Sequence, residues 1–195
     1  YTKFDDYQPL DSPTDGLSGK KEALVDEINV SFVADDSTRV NSLVSGEYDY
    51  AFELPFDSID QLRNTANIEI DVWPFGFQTV VFNKKGVFED KNMRKAVNYA
   101  LDNEELLLLA FTDEEFYELE PAYMRPEQVN WYTKAGEEHY NVKDIDLAKK
   151  HLEEAGYDNE EIVILTSSDY SYHYNSAVVL QEALQEIGVN VKLDV

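Results

Sequence analysis

Alternation between strand and helix patterns is the feature that most limits how this chain can fold. Residues 161–168 (EIVILTSS) and 189–195 (VNVKLDV) are short β-branched runs typical of strands. Between them, apolar residues recur at the spacing of one helix face: Ala177, Leu180, Leu184 and Ile187. A strand, a helix and a strand in this order form a βαβ unit, whose two strands are parallel.

An earlier stretch repeats the same order of patterns. Residues 25–33 (VDEINVSFV) and 48–53 (YDYAFE) are predicted strands. A short helix between them is capped by Asp35 or Asp36, and Gly46 occupies the position after the helix where positive φ is wanted. The sequence therefore predicts two βαβ units.

Further elements fill the chain between these units. We predict strands at 68–73 and 77–83 and a loop-rich stretch at 112–143. Four helices are expected to begin at aspartates: Asp57, Asp90, Asp102 and Asp144. The predicted fold class is α/β with a mainly parallel sheet flanked by helices. We expect an irregular segment at 1–24, followed by a single α/β lobe at 25–195.

Charge and cysteine content exclude several function classes. The chain has 40 acidic and 16 basic residues and a formal charge of −24, which excludes nucleic acid as a partner. Such acidity is typical of the solvated surface of an exported protein, and it also suits a field that gathers cationic ligands. There is no cysteine, so thiolate metal sites and cysteine nucleophiles are excluded.

A basic cluster stands out in this acidic chain. It comprises Lys84, Lys85, Lys91, Arg94 and Lys95. An anion site at the start of the following helix is one interpretation. No glycine-rich loop precedes that helix, so we favour a scaffold role in which Arg94 and Lys95 pair with carboxylates elsewhere.

The sequence gives no pattern for catalysis, a metal or a cofactor. The three histidines, His139, His151 and His173, are scattered, and we place His151 on the surface. A metal pair of His173 with Asp169 is conceivable, but no second histidine is in register. No GxSxG elbow surrounds Ser168, so a serine nucleophile is not expected. We predict a protein that is not an enzyme.

The carboxyl ends of the predicted parallel strands mark the expected ligand site. In open α/β sheets, ligands bind beyond these ends. They lie here at residues 52–55 and 165–170, where hydroxyls, a carboxylate and nearby tyrosines suit a recognition surface. The alternative is that the tyrosines simply cover a loop.

Four collinear stretches resemble one family, the peptide/nickel class of extracellular solute-binding proteins of ABC transporters. They are VDEINVSFVADDSTRVNSLVSGEYDYAFELP, VFNKKGVFEDKNMRKAVNYALDNEELL, DIDLAKKHLEEAGYDNEEIVILTSSD and LQEALQEIGVNVKLDV. In that family the second stretch belongs to the scaffold, with its arginine on the helix, and Arg94 falls on that position. Val87 stands where the family usually has proline.

The resemblance implies a function and partners. The chain is expected to be most of the C-terminal lobe of a two-lobed, type II periplasmic-binding-protein-like receptor. It would capture peptides outside the cytoplasmic membrane, in the periplasm or as a cell-surface lipoprotein. The expected partners are the ligand, the remaining lobe and an ABC permease. Nickel chelates, opines and sugars remain open as ligands, as does a sensory or regulatory protein that uses the same domain.

The resemblance also implies site residues by position. They are the residues at the ends of strands that face the cleft, with one loop residue: Phe52, Glu53, Phe75, Phe77, Gln78, Tyr123, Thr166, Ser168, Asp169 and Tyr170. A hydrolase acting on extracellular peptides is the alternative from another class, and it would need an acid–base pair among these residues.

Overall fold

The structure is a computed structural model that describes residues 1–73 and 76–195. Six α-helices and two strands follow one another along the described residues: α1 (Asp36–Ser45), α2 (Ile59–Arg63), α3 (Lys91–Ala100), α4 (Asn103–Phe111), α5 (Ile145–Glu154), β1 (Ile162–Leu165), α6 (Ser171–Glu186) and β2 (Val191–Asp194). Short 3₁₀ turns connect several of them. No described helix is both long and apolar enough to cross a membrane.

β1 and β2 form a parallel two-stranded sheet joined by α6. Ile162 is in register with Val191, and Leu165 with Asp194. The βαβ unit predicted from residues 161–195 is therefore confirmed, because its two strands pair directly and α6 makes the crossover.

One hydrophobic core holds the helices against this sheet. Helix α3 packs on α5, and α4 packs on α6. The core cluster contains Met93, Ala96, Leu152 and Leu184, which are at most 9% exposed, together with Ile162 from β1. Burying a side chain as large as that of Met93, Leu152 or Leu184 stabilises the fold by roughly 1.5–3 kcal/mol.

Four of the five predicted helix starts follow from side-chain chemistry. The fifth, predicted at Asp57, is a 3₁₀ turn over Phe56–Ser58 that continues as α2 from Ile59 without a side-chain cap. The side chains of Asp35, Asp90, Asp102 and Asp144 each accept a hydrogen bond from a backbone N–H in the first turn of the next helix. These contacts satisfy donors that have no partner inside a helix. Gly46 ends α1 with φ of 75°, as its position predicted.

Four predicted strands are wrong. Residues 25–33, 48–53, 68–73 and 77–83 are not strands, and in the first of them Phe32 is 98% exposed. Alternating apolar residues give an extended segment one apolar face, but the segment becomes a strand only where another strand lies beside it and forms hydrogen bonds with it. Within the described residues, the only pairing in 25–33 is an isolated antiparallel bridge from Glu27 to Thr2.

Two smaller predictions need correction. The Arg94 guanidinium donates to the backbone carbonyls of Phe88 at 2.6 Å and Glu89 at 3.0 Å, and it has no carboxylate partner within the described residues. Arg94 thus braces the turn before α3. His151 is not a surface residue: its side chain is 12% exposed, and its ring stacks on Tyr99 at 5.5 Å between centroids.

Candidate functional site

The loop after β1 forms the first part of the candidate site. Thr166 ends the ladder by donating its N–H to Asp194, and its hydroxyl donates to the carbonyl of His173 at 3.2 Å. The Asp169 N–H donates to the Ser167 hydroxyl at 3.1 Å, which fixes the turn into α6. The carboxyl end of a parallel strand is thereby tied to the first turn of the next helix, the usual ligand position in such sheets.

Gln78 brings a second, distant segment to the same place. Its Nε2 lies 3.3 Å from His173 Nδ1 and donates to Ser176 Oγ at 3.1 Å. Ser176 is 7% exposed, and its hydroxyl donates to the carbonyl of Tyr172 at 2.7 Å. These bonds join positions 95 and 98 residues apart in sequence, so they fix the site through tertiary structure.

Aromatic rings surround this polar contact. The Tyr172 ring centroid lies 4.4 Å from that of His173, 5.7 Å from Tyr170 and 5.7 Å from Phe111, on which it stacks. Phe56, just before α2, meets Phe111 edge to face at 5.0 Å. Offset and edge-to-face geometries are the favourable arrangements for such rings. We call these five side chains the aromatic rim.

Glu53 adds negative charge beside the rim. Burial raises the pKa of the Tyr172 hydroxyl above its usual range, and the Glu53 carboxylate raises it further. Glu53 has φ of 52°, a left-handed conformation that is unfavourable for a non-glycine residue. The Arg39 guanidinium stabilises it by donating to the Glu53 carbonyl at 3.1 Å.

Arg39 connects both flanks of α1. Besides Glu53, its guanidinium donates to the carbonyl of Val33 at 2.8 Å and forms an ion pair with Asp36. A planar guanidinium has five donors in a fixed geometry, which suits several acceptors at once. The segment before α1 and the Glu53 turn are therefore fixed relative to each other.

A second aromatic contact lies in the same part of the chain as Gln78. The Phe77 ring meets the Tyr123 ring edge to face, with centroids 4.8 Å apart. Both rings are largely exposed, at 57% and 71%. Exposed aromatic pairs of this kind offer apolar surface to a ligand or partner.

The structure brings together six of the ten predicted site residues, in two groups. Gln78, Thr166, Tyr170 and Glu53 lie around His173 and Tyr172, while Phe77 pairs with Tyr123. Four residues join neither group. Within the part of the chain that the structure describes, the hydrogen bonding of Asp169 is confined to its own turn. Phe52 is 62% exposed, and Phe52 and Ser168 make no hydrogen bond or ring contact within residues 1–73 and 76–195. Phe75 lies outside the described residues.

Sequence reasoning left four members of the aromatic rim, and the neighbouring Ser176, out of the predicted set. They are Phe56, Phe111, Tyr172, His173 and Ser176. Tyr172 and His173 stand in the run DYSYHYN, residues 169–175, next to the predicted residues, so proximity along the chain could have identified them. Phe56 and Phe111 meet only through tertiary packing, for which a single sequence carries no signal.

The chemistry of the rim suits recognition. Rings supply apolar and cation-binding surface, Gln78 supplies an amide, and Glu53 supplies a carboxylate. Among the described residues, no three histidine, aspartate or glutamate side chains are grouped closely enough to hold a metal ion.

A protein-family model covers the whole chain. The model for "Bacterial extracellular solute-binding proteins, family 5 Middle" matches residues 1–195. A curated relative from Sinorhizobium fredii, named "Probable peptide ABC transporter periplasmic-binding protein y4tO", is 27% identical over 214 residues, covering 99% of this chain and 37% of its own. The chain thus spans about a third of the length of that relative.

Solved structures share the fold. The oligopeptide-binding protein AppA of Bacillus subtilis, in complex with a nonapeptide, superposes with a TM-score of 0.63 at 23% identity, covering 83% of this chain and 34% of AppA. The AgaA protein of A. tumefaciens R10, in complex with agropinic acid, gives a TM-score of 0.62 at 29% identity, covering 84% of this chain and 33% of AgaA. The type II periplasmic-binding-protein architecture is therefore confirmed.

Proposed function

Because this chain belongs to the bacterial extracellular solute-binding proteins of family 5, we propose that it is part of a receptor that captures peptides or similar small solutes for import. The receptor works outside the cytoplasmic membrane, in the periplasm or as a cell-surface lipoprotein. It hands its ligand to an ABC permease. The family is one of binding proteins, and we propose that no chemical step accompanies capture.

The observation that carries this proposal is the meeting of three separate segments at the aromatic rim. The Glu53 turn, the Gln78 segment and the loop after β1 are far apart in sequence, and each contributes to the surroundings of Tyr172 and His173. A surface built from several segments of a packed fold is well suited to binding, because each group is held in place before the ligand arrives.

The rim groups suggest how a peptide would be held. Exposed ring surface at Tyr170 and Phe77 receives apolar or cationic side chains of the ligand. The Glu53 carboxylate beside the rim favours ligands with positive charge. The AppA structure contains a bound nonapeptide, which supports a peptide as the ligand class.

We further propose that residues 25–195 act as most of one lobe, with residues 1–24 leading into it. The remaining lobe would cover the ligand from the other side of the cleft. Closure of two lobes around a ligand excludes water from the polar contacts and strengthens them. On this view the rim is half of the complete site.

An opine-like ligand is the second candidate. The AgaA structure contains agropinic acid, and AgaA is 29% identical to this chain over the matched region. Such a ligand is small and polar, so it would use the Gln78 amide and the Thr166 hydroxyl more than the rings.

Ligand recovery from the full-length protein tests the proposal directly. Native mass spectrometry of protein purified without denaturation would identify the bound molecule. Isothermal titration would then measure the affinity for that molecule in the wild type, in Tyr172→Ala and in Lys150→Ala. Lys150 lies on α5, away from the rim, and is the matched control.

We expect a bound peptide and at least about tenfold weaker binding in Tyr172→Ala, because losing one well-packed aromatic contact removes about 1.4 kcal/mol or more. The control should bind as the wild type does. Recovery of agropinic acid or a similar opine would select the second candidate. A full-length receptor whose affinity is unchanged in Tyr172→Ala would refute the aromatic rim as the binding surface.

A further inference from the structure

The hydrogen bonds between Gln78 and the start of α6 have a fixed direction. The Ser176 hydroxyl has one proton and donates it to the Tyr172 carbonyl at 2.7 Å. Its oxygen is therefore the acceptor for Nε2 of Gln78, at 3.1 Å. The same Gln78 NH2 group lies 3.3 Å from Nδ1 of His173. Because an amide NH2 group only donates, Nδ1 of His173 is the acceptor in this arrangement.

This direction fixes the tautomer of His173. A neutral imidazole has one donor and one acceptor nitrogen, so an accepting Nδ1 places the proton on Nε2. Within the described residues, Nε2 makes no hydrogen bond that would impose the other tautomer. The backbone of His173 is held on both sides, because its N–H donates to the Tyr170 carbonyl at 3.1 Å and its carbonyl accepts from the Thr166 hydroxyl at 3.2 Å. The ring therefore stays beside Gln78.

Protonation of His173 is incompatible with this arrangement. A charged imidazole carries a proton on each nitrogen, so Nδ1–H would face the Gln78 NH2 group 3.3 Å away, donor against donor. Turning the Gln78 amide over exchanges its nitrogen and its oxygen. Oε1 then accepts from Nδ1–H, and the conflict is removed.

The arrangement with the amide turned over is also complete. Oε1 has two lone pairs, so it accepts from the Ser176 hydroxyl as well as from Nδ1–H of His173. The Tyr172 carbonyl gives up the hydroxyl, but it lies in α6, where the backbone N–H four residues later is its ordinary partner. The three side chains thus have two self-consistent arrangements, and the proton on His173 selects between them.

The surroundings of His173 leave it as the group that changes charge near neutral pH. The titratable groups around it are two phenols and two carboxylates: Tyr170, Tyr172, Glu53 and Asp169. Burial raises the pKa of Tyr172 above its usual range, so this phenol stays neutral where an imidazole titrates. Carboxylates ordinarily titrate near pH 4, well below an imidazole at about 6.5. The Gln78 segment, residues 76–83, has no titratable side chain.

We propose that Gln78, His173 and Ser176 form a proton-driven switch that reverses the hydrogen-bonding character of Gln78 at the aromatic rim. With His173 neutral, Oε1 of Gln78 accepts no hydrogen bond within the described residues and is the group left for other partners. With His173 charged, the NH2 group takes that place. The consequence for ligands rests on the proposed function: the rim favours donor groups of a ligand above about pH 6.5 and acceptor groups below it.

Nitrogen-15 NMR of the full-length protein, without added ligand, tests the switch. Spectra of the imidazoles from pH 5 to pH 8 report the proton on each ring nitrogen, and the His173 signals are those missing from His173→Asn. We expect the proton on Nε2 alone at pH 8 and on both nitrogens at pH 5. The side-chain NH2 signals of Gln78 should shift with the same midpoint, because the amide turns as the ring is protonated.

Gln78→Glu distinguishes the switch from an ordinary histidine. A carboxylate only accepts, so Nδ1 of His173 should carry a proton at pH 8 in this variant, where the wild type has none. Gln128→Glu is the matched control. Gln128 also accepts through Oε1, from the N–H of Arg125 in the exposed loop, and His173 should titrate there as in the wild type.

Three results would overturn the switch. The first is a proton on Nδ1 of wild-type His173 at pH 8. The second is constancy of the Gln78 NH2 signals while His173 titrates. The third is an unprotonated Nδ1 at pH 8 in Gln78→Glu. None of these measurements involves a ligand, so the switch can fail while the rim still binds, and the rim can fail to bind while the switch operates.

Discussion

The part of the chain before α3 and the part from α3 onward differ in which predicted elements form. The predicted helices form in both parts, whereas the predicted strands pair only in the later one. Both contain capped helices, as Asp35 and Asp102 show. Among the residues that the structure describes, only the later part contains a sheet, although predicted strands occur in both. The difference follows from where the hydrogen bonds lie. A helix satisfies its backbone within four residues, whereas a strand depends on a neighbour that the local sequence does not supply.

Burial separates residues 25–33 from the later core in the same way. The core cluster lies entirely within residues 93–191. In the earlier part, Val25, Ile28 and Val30 are each more than 50% exposed, despite an apolar pattern as strong as that of β1. The apolar pattern states which residues are suited to a core, and packing partners decide whether they enter one.

The largest expected effect sharpens this contrast. Leu184→Ala should destabilise the protein by about 2–5 kcal/mol, since Leu184 is 2% exposed and its removal leaves a cavity in the core. Val30→Ala is the matched change in the earlier part, where the side chain is 58% exposed, and we expect about 0.5 kcal/mol or less.

Urea denaturation followed by circular dichroism would measure both variants. If Val30→Ala lowers the free energy of unfolding as much as Leu184→Ala does, the contrast between the two parts is wrong, because residues 25–33 would then be packed in solution. Such a result would also mean that residues 25–33 pack against another segment of the folded protein.

A medium effect is expected where the two parts meet. Phe56 lies before α2 and contacts the rings of Phe111, Phe116 and Tyr172, with centroids 5.0, 5.1 and 6.3 Å away. Phe56→Ala should destabilise the protein by about 1–3 kcal/mol, because several aromatic contacts are lost from a half-buried site.

The informative measurement for Phe56→Ala is limited proteolysis, which reports where the chain opens. We expect faster cleavage in residues 46–66 and unchanged cleavage in α3 to α6, since the later core does not include Phe56. Phe56→Leu is the control, because it keeps apolar volume while it removes the ring. Equal acceleration of cleavage throughout the chain would indicate that the two parts unfold as one unit.

The limits of prediction fall along the same division. The local sequence was enough to predict four aspartate caps and the parallel βαβ unit, with its boundaries within a few residues. Each of these features depends on contacts within about thirty residues of the chain. Thr166 and Tyr170 were placed at a site by the rule for the ends of parallel strands. Their contacts with His173 depend on that local turn and were accessible in principle.

The long-range parts of the site were not accessible from local pattern. Gln78 reaches Ser176 across 98 residues, and Phe56 reaches Phe111 through packing alone. Gln78 entered the predicted set only through resemblance to a family. Residues 48–53 failed as a strand for the reason that residues 25–33 failed, since no described segment lies in register beside them.

The smallest expected effect is on the pH dependence of stability, and it comes from the charges of two helix caps, Asp102 in the later part and Asp35 in the earlier part. Hydrogen bonding from the Glu105 N–H lowers the pKa of Asp102, and the Lys143 ammonium, whose Nζ lies 3.0 Å from Oδ2, lowers it further. A carboxyl group whose pKa is lower in the folded state stabilises the fold above the ordinary pKa of about 4, and this contribution disappears as pH falls through the folded pKa.

Asp102→Asn keeps a side-chain acceptor for the cap and removes only the charge. It should therefore lose about 0.5–1 kcal/mol at pH 7 and almost nothing at pH 2. In α1, hydrogen bonds from the Thr38 hydroxyl and N–H lower the pKa of Asp35 as well, and the Arg39 guanidinium makes a smaller contribution in the same direction. Within the described residues, Asp35 forms no ion pair like that of Asp102 with Lys143. We expect Asp35→Asn to show a smaller difference between the two pH values. Thermal melts of both variants and the wild type from pH 2 to pH 7 measure this difference. A larger pH dependence in Asp35→Asn than in Asp102→Asn would mean that the charge of the Asp35 cap contributes more to stability than that of Asp102.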